Sequence, residues 1–217
     1  MKQKSMFIVA AVAFVAIFVG GAAWYNTSKA GANETIPEAM LSALNRSYAP
    51  SVGPADAPVV IVEFLDPACE TCATFYPLVK DMMAANPGRI RVVLRWAPFH
   101  DGSPNVVALL EAARKQGKFW PALETLLASQ PAWTVNHTAD ATLAWVQLGG
   151  LGLNSEQLFA DMASPDVAQI IAQDIQDANT LNVTATPEFF VNGKPLPSWG
   201  YEQLKQLVDE ELAQTSR

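Results

Sequence analysis

Residues 59–65, Val-Val-Ile-Val-Glu-Phe-Leu, form a β-branched apolar run with Pro58 before it and Pro67 after it. A run of that length and composition between prolines reads as a buried strand. From Cys69 to Asn86 the pattern turns helical, with Pro77 expected to kink the helix and Pro87-Gly88 to stop it. A second β-branched run, Ile90-Arg-Val-Val-Leu-Arg-Trp96, follows. Strand, helix and strand in that order make a crossover unit whose two strands normally pair in parallel. Every other element of the chain has to cover or extend this unit.

Between His100 and Leu181 the sequence offers helices and no strand. Ser103-Pro104 opens one ending at Gly117, and Lys118 to Ser129 gives another. Thr138 opens a third running to about Leu148, and Asn154 a fourth, with Gln157 completing a capping box. Ser164-Pro165 starts a longer helix that ends near Asn182. Strand character returns at Glu188-Phe-Phe-Val191. Asn192-Gly193 is a two-residue hairpin signal leading into Lys194-Pro-Leu196. Tyr201 to Gln214 closes the chain with Leu204, Leu207, Val208 and Leu212 on one helical face. The expected fold is therefore α/β, a thioredoxin fold over residues 51–217 with a helical insertion at about 100–182.

Upstream, Met6 to Tyr25 holds no charged residue, while Lys2 and Lys4 precede it and Trp24-Tyr25 close it. Two readings compete over residues 1–25. A secretory signal fits Met6–Val19 followed by Gly-Gly-Ala-Ala. An N-terminal hydrophobic helix acting as an uncleaved membrane anchor fits the length and the aromatic pair, and is the favoured reading. Residues 26–50 then read as a tether, with a short helix within Thr35–Arg46. Either reading exports the remainder, to the outer face of the inner membrane or to the periplasm as a soluble protein. With 14 Lys+Arg against 21 Asp+Glu the chain is acidic, which argues against nucleic acid as a partner.

The two cysteines of the chain, Cys69 and Cys72, stand as Cys-Glu-Thr-Cys at the expected helix start. Free N–H groups and the helix dipole at that end favour a thiolate on Cys69. Cys72, one turn further in, is placed to attack a mixed disulfide formed on Cys69. The pair would carry the electrons itself, with no separate cofactor. A structural bridge would close too small a loop to gain much entropy. Structural zinc needs about four ligands, and His100 and His137 could contribute only if the fold gathered them. The pair alone also suits Cu(I), a soft ion that takes thiolates. Thr186-Pro187, just before Glu188–Val191, is either an edge-strand proline or a cis-proline that keeps an edge open for an extended partner.

Ala57-Pro-Val-Val-Ile-Val-Glu-Phe-Leu-Asp66, Cys69-Glu-Thr-Cys72 and Thr186-Pro-Glu-Phe-Phe-Val-Asn-Gly-Lys194 together resemble the DsbA-like thioredoxin family, and Phe119-Trp120 adds to the likeness. The resemblance spans roughly Gly53 to Gln214. It implies a cis-Pro187 facing Cys69, with Thr186 and Pro187 contacting substrate. It also implies thiol-disulfide exchange with exported cysteine-bearing proteins and a membrane redox partner. Glu63, six residues before Cys69, matches the buried acid that the family is thought to use on the resolving thiol. The alternative is a structural Glu63 paired with a lysine such as Lys80.

The chain departs from the strongly oxidising members, which have Pro-His where it has Glu70-Thr71. Glu70 is expected to raise the Cys69 pKa relative to those members and make the couple less oxidising. Thr186 before the proline resembles the isomerase and reductase branches, so the direction of exchange stays open alongside the Cu(I) reading. Trp96, Trp120, Trp133 and Trp145 read as packing aromatics. His100 reads as a capping or surface residue, His137 as a loop residue, and Asp66-Pro67 as shaping the approach to the helix.

Overall fold

The computed structural model describes residues 38–215. In chain order the elements are α1 (Glu38–Leu44), β1 (Ser51–Val52), β2 (Val59–Leu65), α2 (Glu70–Ala85) and β3 (Ile90–Trp96). The helical insertion follows, with α3 (Ser103–Lys115), α4 (Phe119–Ala128), β4 (Thr134–Val135), β5 (Thr138–Ala139), α5 (Ala141–Gln147), α6 (Ser155–Met162) and α7 (Pro165–Thr180). The chain then returns through β6 (Glu188–Val191), β7 (Lys194–Pro195) and α8 (Tyr201–Gln214).

The main sheet has the order β1-β3-β2-β6-β7. β2 and β3 pair in parallel from Val59↔Ile90 to Leu65↔Trp96, as the crossover unit requires. β6 runs antiparallel to β2, and Asn192 and Gly193, both at positive φ, turn it into β7. Strand alternation divides the core. Val59, Ile61, Phe189 and Val191 meet Phe75, Val79 and Met82 of α2 and Leu204, Val208 and Leu212 of α8. Val62, Phe64 and Phe190 on the opposite face meet Ala43, Leu44, Ala178 and Leu181, from α1 and the end of α7. A third cluster fills the insertion around Leu109, Leu123, Leu126 and Trp133 and reaches Leu65, Cys72 and Trp96. Covering both faces of the sheet makes β2 apolar at nearly every position, so Glu63 stands out in it.

Several expectations change. From Glu38 onward the segment expected as a tether belongs to the folded unit. Ala43 and Leu44 are buried. Arg46 pairs with Asp177 at 2.6 Å, and Tyr48 donates to Asp174 at 2.6 Å. The insertion is not strand-free: β4 and β5 form a small hairpin turned by Asn136 and His137, both at positive φ. The helix expected at Thr138 consequently begins at Ala141, capped by the Asp140 carboxylate at 2.8 Å from Thr142 N and 3.1 Å from Leu143 N. Only half of the capping box at Asn154 forms. Its Oδ1 accepts from Gln157 N at 2.9 Å, whereas its own N–H goes to Gln116 Oε1. Pro77 lies inside α2, which passes through it without a break. The N-terminal hydrophobic helix and the start of the tether lie outside the described residues, among which no helix is long and apolar enough to cross a membrane.

Candidate active site

Asp66 builds the turn from β2 into α2. It is fully buried, and its Oδ1 accepts from Ala68 N at 2.8 Å and from the Ser103 hydroxyl. Its Oδ2 accepts from His100 N at 2.9 Å and contacts His100 Nδ1 at 2.7 Å. One carboxylate thereby ties the approach to α2, the loop after β3 and the start of α3. Gln130 adds a 2.7 Å bond from its side-chain N–H to the Pro67 carbonyl. The sequence reading gave Asp66 no separate role; an Asp just before Pro, at the end of an apolar strand, was the available signal.

This turn sets Cys69 at the N-cap of α2 in extended geometry. Its thiol donates to the Thr186 carbonyl at 3.2 Å, and Thr186–Pro187 is a cis peptide. The strand-start proline and the cysteine pair, distant in sequence, are thus brought together, with Pro187 cis as the resemblance implied. Cys69 is 7% exposed and Cys72 fully buried, and both are free thiols.

Their environments push the two thiols apart. A hydrogen bond from Cys72 is the largest influence lowering the Cys69 pKa to about 5. Burial opposes it, while the Thr186 hydroxyl and the backbone N–H groups of Cys72 and Thr71 add to it. Cys72 is pushed well above an ordinary thiol by burial first, then by its bond to Cys69 and the charges of Cys69 and Glu63. A low-pKa sulfur at the rim and a protonated one beneath it form an asymmetric pair. Glu70 lies beside this pair but points outward, 70% exposed, with His137 Nδ1 3.7 Å from its Oε1. It is not among the main influences on Cys69, because its charge is dispersed in solvent.

Glu63 lies in β2 between Leu94 of β3 and Phe189 of β6. It is 1% exposed, and its Oε1 has no hydrogen-bond partner among the described residues. Burial, with a smaller push from Cys69, raises its pKa to about 8. The pairing with Lys80 that would have made Glu63 structural does not form, since Lys80 bonds Glu124 at 2.7 Å instead.

Both histidines also reach this rim. His100 is held by Asp66, and its ring stacks on His137 with centroids 6.1 Å apart. His137 arrives there because the β4–β5 turn folds back over the site. Asn136 at a turn position, between Val135 and Thr138, was the overlooked signal. Trp96 and Trp133 are buried, as packing aromatics should be, and Trp120 and Trp145 pack against the insertion core.

The thioredoxin family model matches residues 46–210. The chain belongs to the thioredoxin family. The resemblance drawn from the cysteine pair and Thr186-Pro187 is therefore borne out. A thioredoxin-like oxidoreductase of Silicibacter pomeroyi DSS-3 superimposes with a TM-score of 0.68 at 30% identity, covering 79% of this chain and 96% of that one. Disulfide bond formation protein D of Bacillus subtilis strain 168 is 28% identical over 180 residues, covering 75% of this chain and 77% of that protein. The Na(+)/H(+) antiporter NhaA of Herminiimonas arsenicoxydans is 34% identical over 144 residues. That match takes in 66% of this chain but only 22% of the antiporter, so the chain spans about a fifth of that relative's length. The matched region is thus most of one relative and a minor part of another, much longer one.

Proposed function

We propose that this thioredoxin-family chain is a thiol-disulfide oxidoreductase that exchanges disulfides with cysteine-bearing proteins outside the cytoplasm. The observation that carries the reading is the split between the two thiols: Cys69 at about 5, Cys72 far above it, opposite cis-Pro187. In the oxidising direction a substrate thiolate attacks the Cys69 sulfur of the Cys69–Cys72 disulfide. Cys72 leaves as a thiolate and takes a proton from Glu63. A second substrate thiol then displaces Cys69, which departs as a stabilised thiolate. The reverse order reduces a disulfide, with Cys72 giving its proton to Glu63 before attack. Thr186 and Pro187 lie where an extended substrate segment would align beside Cys69. The dithiol carries the electron pair, so no further cofactor is needed.

Stabilising the Cys69 thiolate favours the reduced protein by a few kcal/mol, after discounting for solvent screening, and so favours giving the disulfide away. That supports the oxidase direction, with a membrane partner restoring the disulfide. Without the histidine of the Pro-His motif, the couple is less oxidising than the strongest members. Export runs through residues 6–25, as an anchor or as a cleaved signal, to a compartment where disulfides persist. The raised pKa of Cys72 disfavours the second thiolate that a Cu(I)-holding role would require.

The test is to mix the oxidised protein with a reduced, unfolded, cysteine-bearing polypeptide and follow both thiol populations. Substrate thiols should disappear as Cys69 and Cys72 become reactive toward alkylation. Persistence of both populations over hours would overturn the reading.

A further inference from the structure

Arg46, Lys80, Arg95, Arg114, Lys115, Lys194 and Lys205 each form an ion pair with a carboxylate. Arg91 is different. It lies on β3 four residues before Arg95, so strand alternation turns both toward the face covered by α1 and the end of α7. Arg95 meets Asp174 and Asp177 there. Among the described residues the Arg91 side chain has one partner, the Ser51 hydroxyl, which accepts from its Nη2 at 2.9 Å. Its Nε is buried and has no acceptor. A guanidinium carries five N–H donors, so most of the capacity of this one is unused.

Arg91 lines a cleft of about 500 Å³ together with Arg46, Asn45, Ser47, Ser51 and Val93. That volume is in the range of small-molecule sites. Among the described residues no carboxylate lines it. The loop after α1 forms one wall and is pinned to the sheet, since Leu94 N donates to the Pro50 carbonyl at 2.9 Å. Arg46 Nε and Nη2 donate to Asp177 at 2.7 and 2.6 Å, which fixes the side chain and leaves Nη1 without a partner among the described residues. The cleft thus joins a cation lacking a counter-charge, a second guanidinium held by its own carboxylate, two hydroxyls and an amide. It opens on the face of the sheet turned away from α2, apart from the cysteine pair.

We propose that this cleft is a phosphate-binding site, with Arg91 supplying the charge and Arg46, Asn45, Ser47 and Ser51 the further donors. These donors come from a loop and a strand and do not share one plane. They suit a tetrahedral oxyanion, which accepts on several sides, better than a planar carboxylate, which a single guanidinium fork satisfies. The cleft is roomier than one ion requires, so it also takes the group that a phosphate ester carries. A soluble phosphate and a phospholipid headgroup offer the same chemistry.

The test is calorimetric titration of the full chain, at pH 7 in a nonionic detergent, with inorganic phosphate, glycerophosphoglycerol and acetate. The better phosphate should bind at least about tenfold more tightly than acetate. Glycerophosphoglycerol is a lipid headgroup without its acyl chains; if it binds more tightly the source is lipid, and if inorganic phosphate does the source is soluble. Arg91→Gln should weaken the better phosphate about tenfold or more, the scale of one hydrogen bond to a charged group. Ser47→Asp puts a like charge into the cleft at an exposed residue and should weaken it as much, which keeps the test open if Arg91→Gln does not fold. Cys69 alkylation within about twofold of the unmodified protein shows that a variant is folded, since the two sites are independent. Absence of phosphate binding, equal affinity for acetate, or undiminished binding in either folded variant would overturn the site.

Discussion

The Cys69 thiol donates to the carbonyl oxygen of Thr186 across 117 positions of sequence, at 3.2 Å. That contact joins the start of α2 to the loop entering β6, so one residue pair ties the low-pKa thiol to the cis-proline loop. The Thr186 hydroxyl has a separable part in it, because it helps hold the thiolate.

Thr186→Val keeps the carbonyl and removes that hydroxyl. The Cys69 pKa should rise from about 5 by about one to two units, the scale of one hydrogen bond to a charged group. Thiolate absorbance at 240 nm across pH 3–9 measures it directly. Alkylation at pH 6 should slow in proportion, and an unmoved midpoint would remove Thr186 from the site's electrostatics.

Cys69→Ser should abolish exchange, since the low-pKa attacking sulfur is gone. Cys72→Ser should instead accumulate mixed disulfides on Cys69, because the resolving sulfur is gone. Non-reducing electrophoresis after incubation with a disulfide-bearing protein distinguishes them. Absence of any adduct in Cys72→Ser would contradict the assigned order of attack.

Glu63 should act in opposite directions on folding and on turnover. Its pKa is about 8 in the folded protein against 4.5 as an ordinary carboxyl, so folding favours the protonated form. Stability is therefore fully present below 4.5 and declines as pH rises toward and through 8. The loss is on the order of 5 kcal/mol at most. Glu63→Gln should remove that decline in urea titrations between pH 5 and 9 while slowing resolution of mixed disulfides. Parallel stability curves for the two proteins would show that Glu63 is not protonated in the folded state.

Asp174 accepts from Arg95 at 2.6 and 3.0 Å, from Tyr48 at 2.6 Å and from Trp96 N at 2.7 Å. Asp174→Asn leaves Arg95 fully buried with less counter-charge, so it should destabilise by about 3–5 kcal/mol. Chemical denaturation measures this. The Cys69 thiolate midpoint should stay in place, because the network lies on the other side of the sheet.

The parts of the fold legible in the sequence are those with strong local signals. β2 and β3 are β-branched runs, Asn192-Gly193 demands positive φ, and Ser164-Pro165 opens a helix. Cys69 and Cys72 were readable from spacing and position alone. What escaped depends on distant partners. The short helix within Thr35–Arg46 was legible as α1, but not its docking: it is held because Arg95 reaches the carbonyls of Ala43 and Leu44. β4 and β5 have two residues each, and nothing local shows that their turn carries His137 to Glu70. Glu63 was singled out by its chemistry. That it has no counter-ion among the described residues depends on Lys80 choosing Glu124, a contact made across two helices.

The sheet ends on both sides in strands of two residues, β1 and β7, and Pro195 in β7 has no N–H to offer. A polypeptide laid along either margin gains a ladder too short to hold it by itself. In the exchange proposed above, residence of a client would then be governed by a covalent bond with a chemical lifetime, not by an extended backbone zipper. Such a scaffold suits many brief encounters with dissimilar chains, and it gives passing copies of itself little edge to polymerise on.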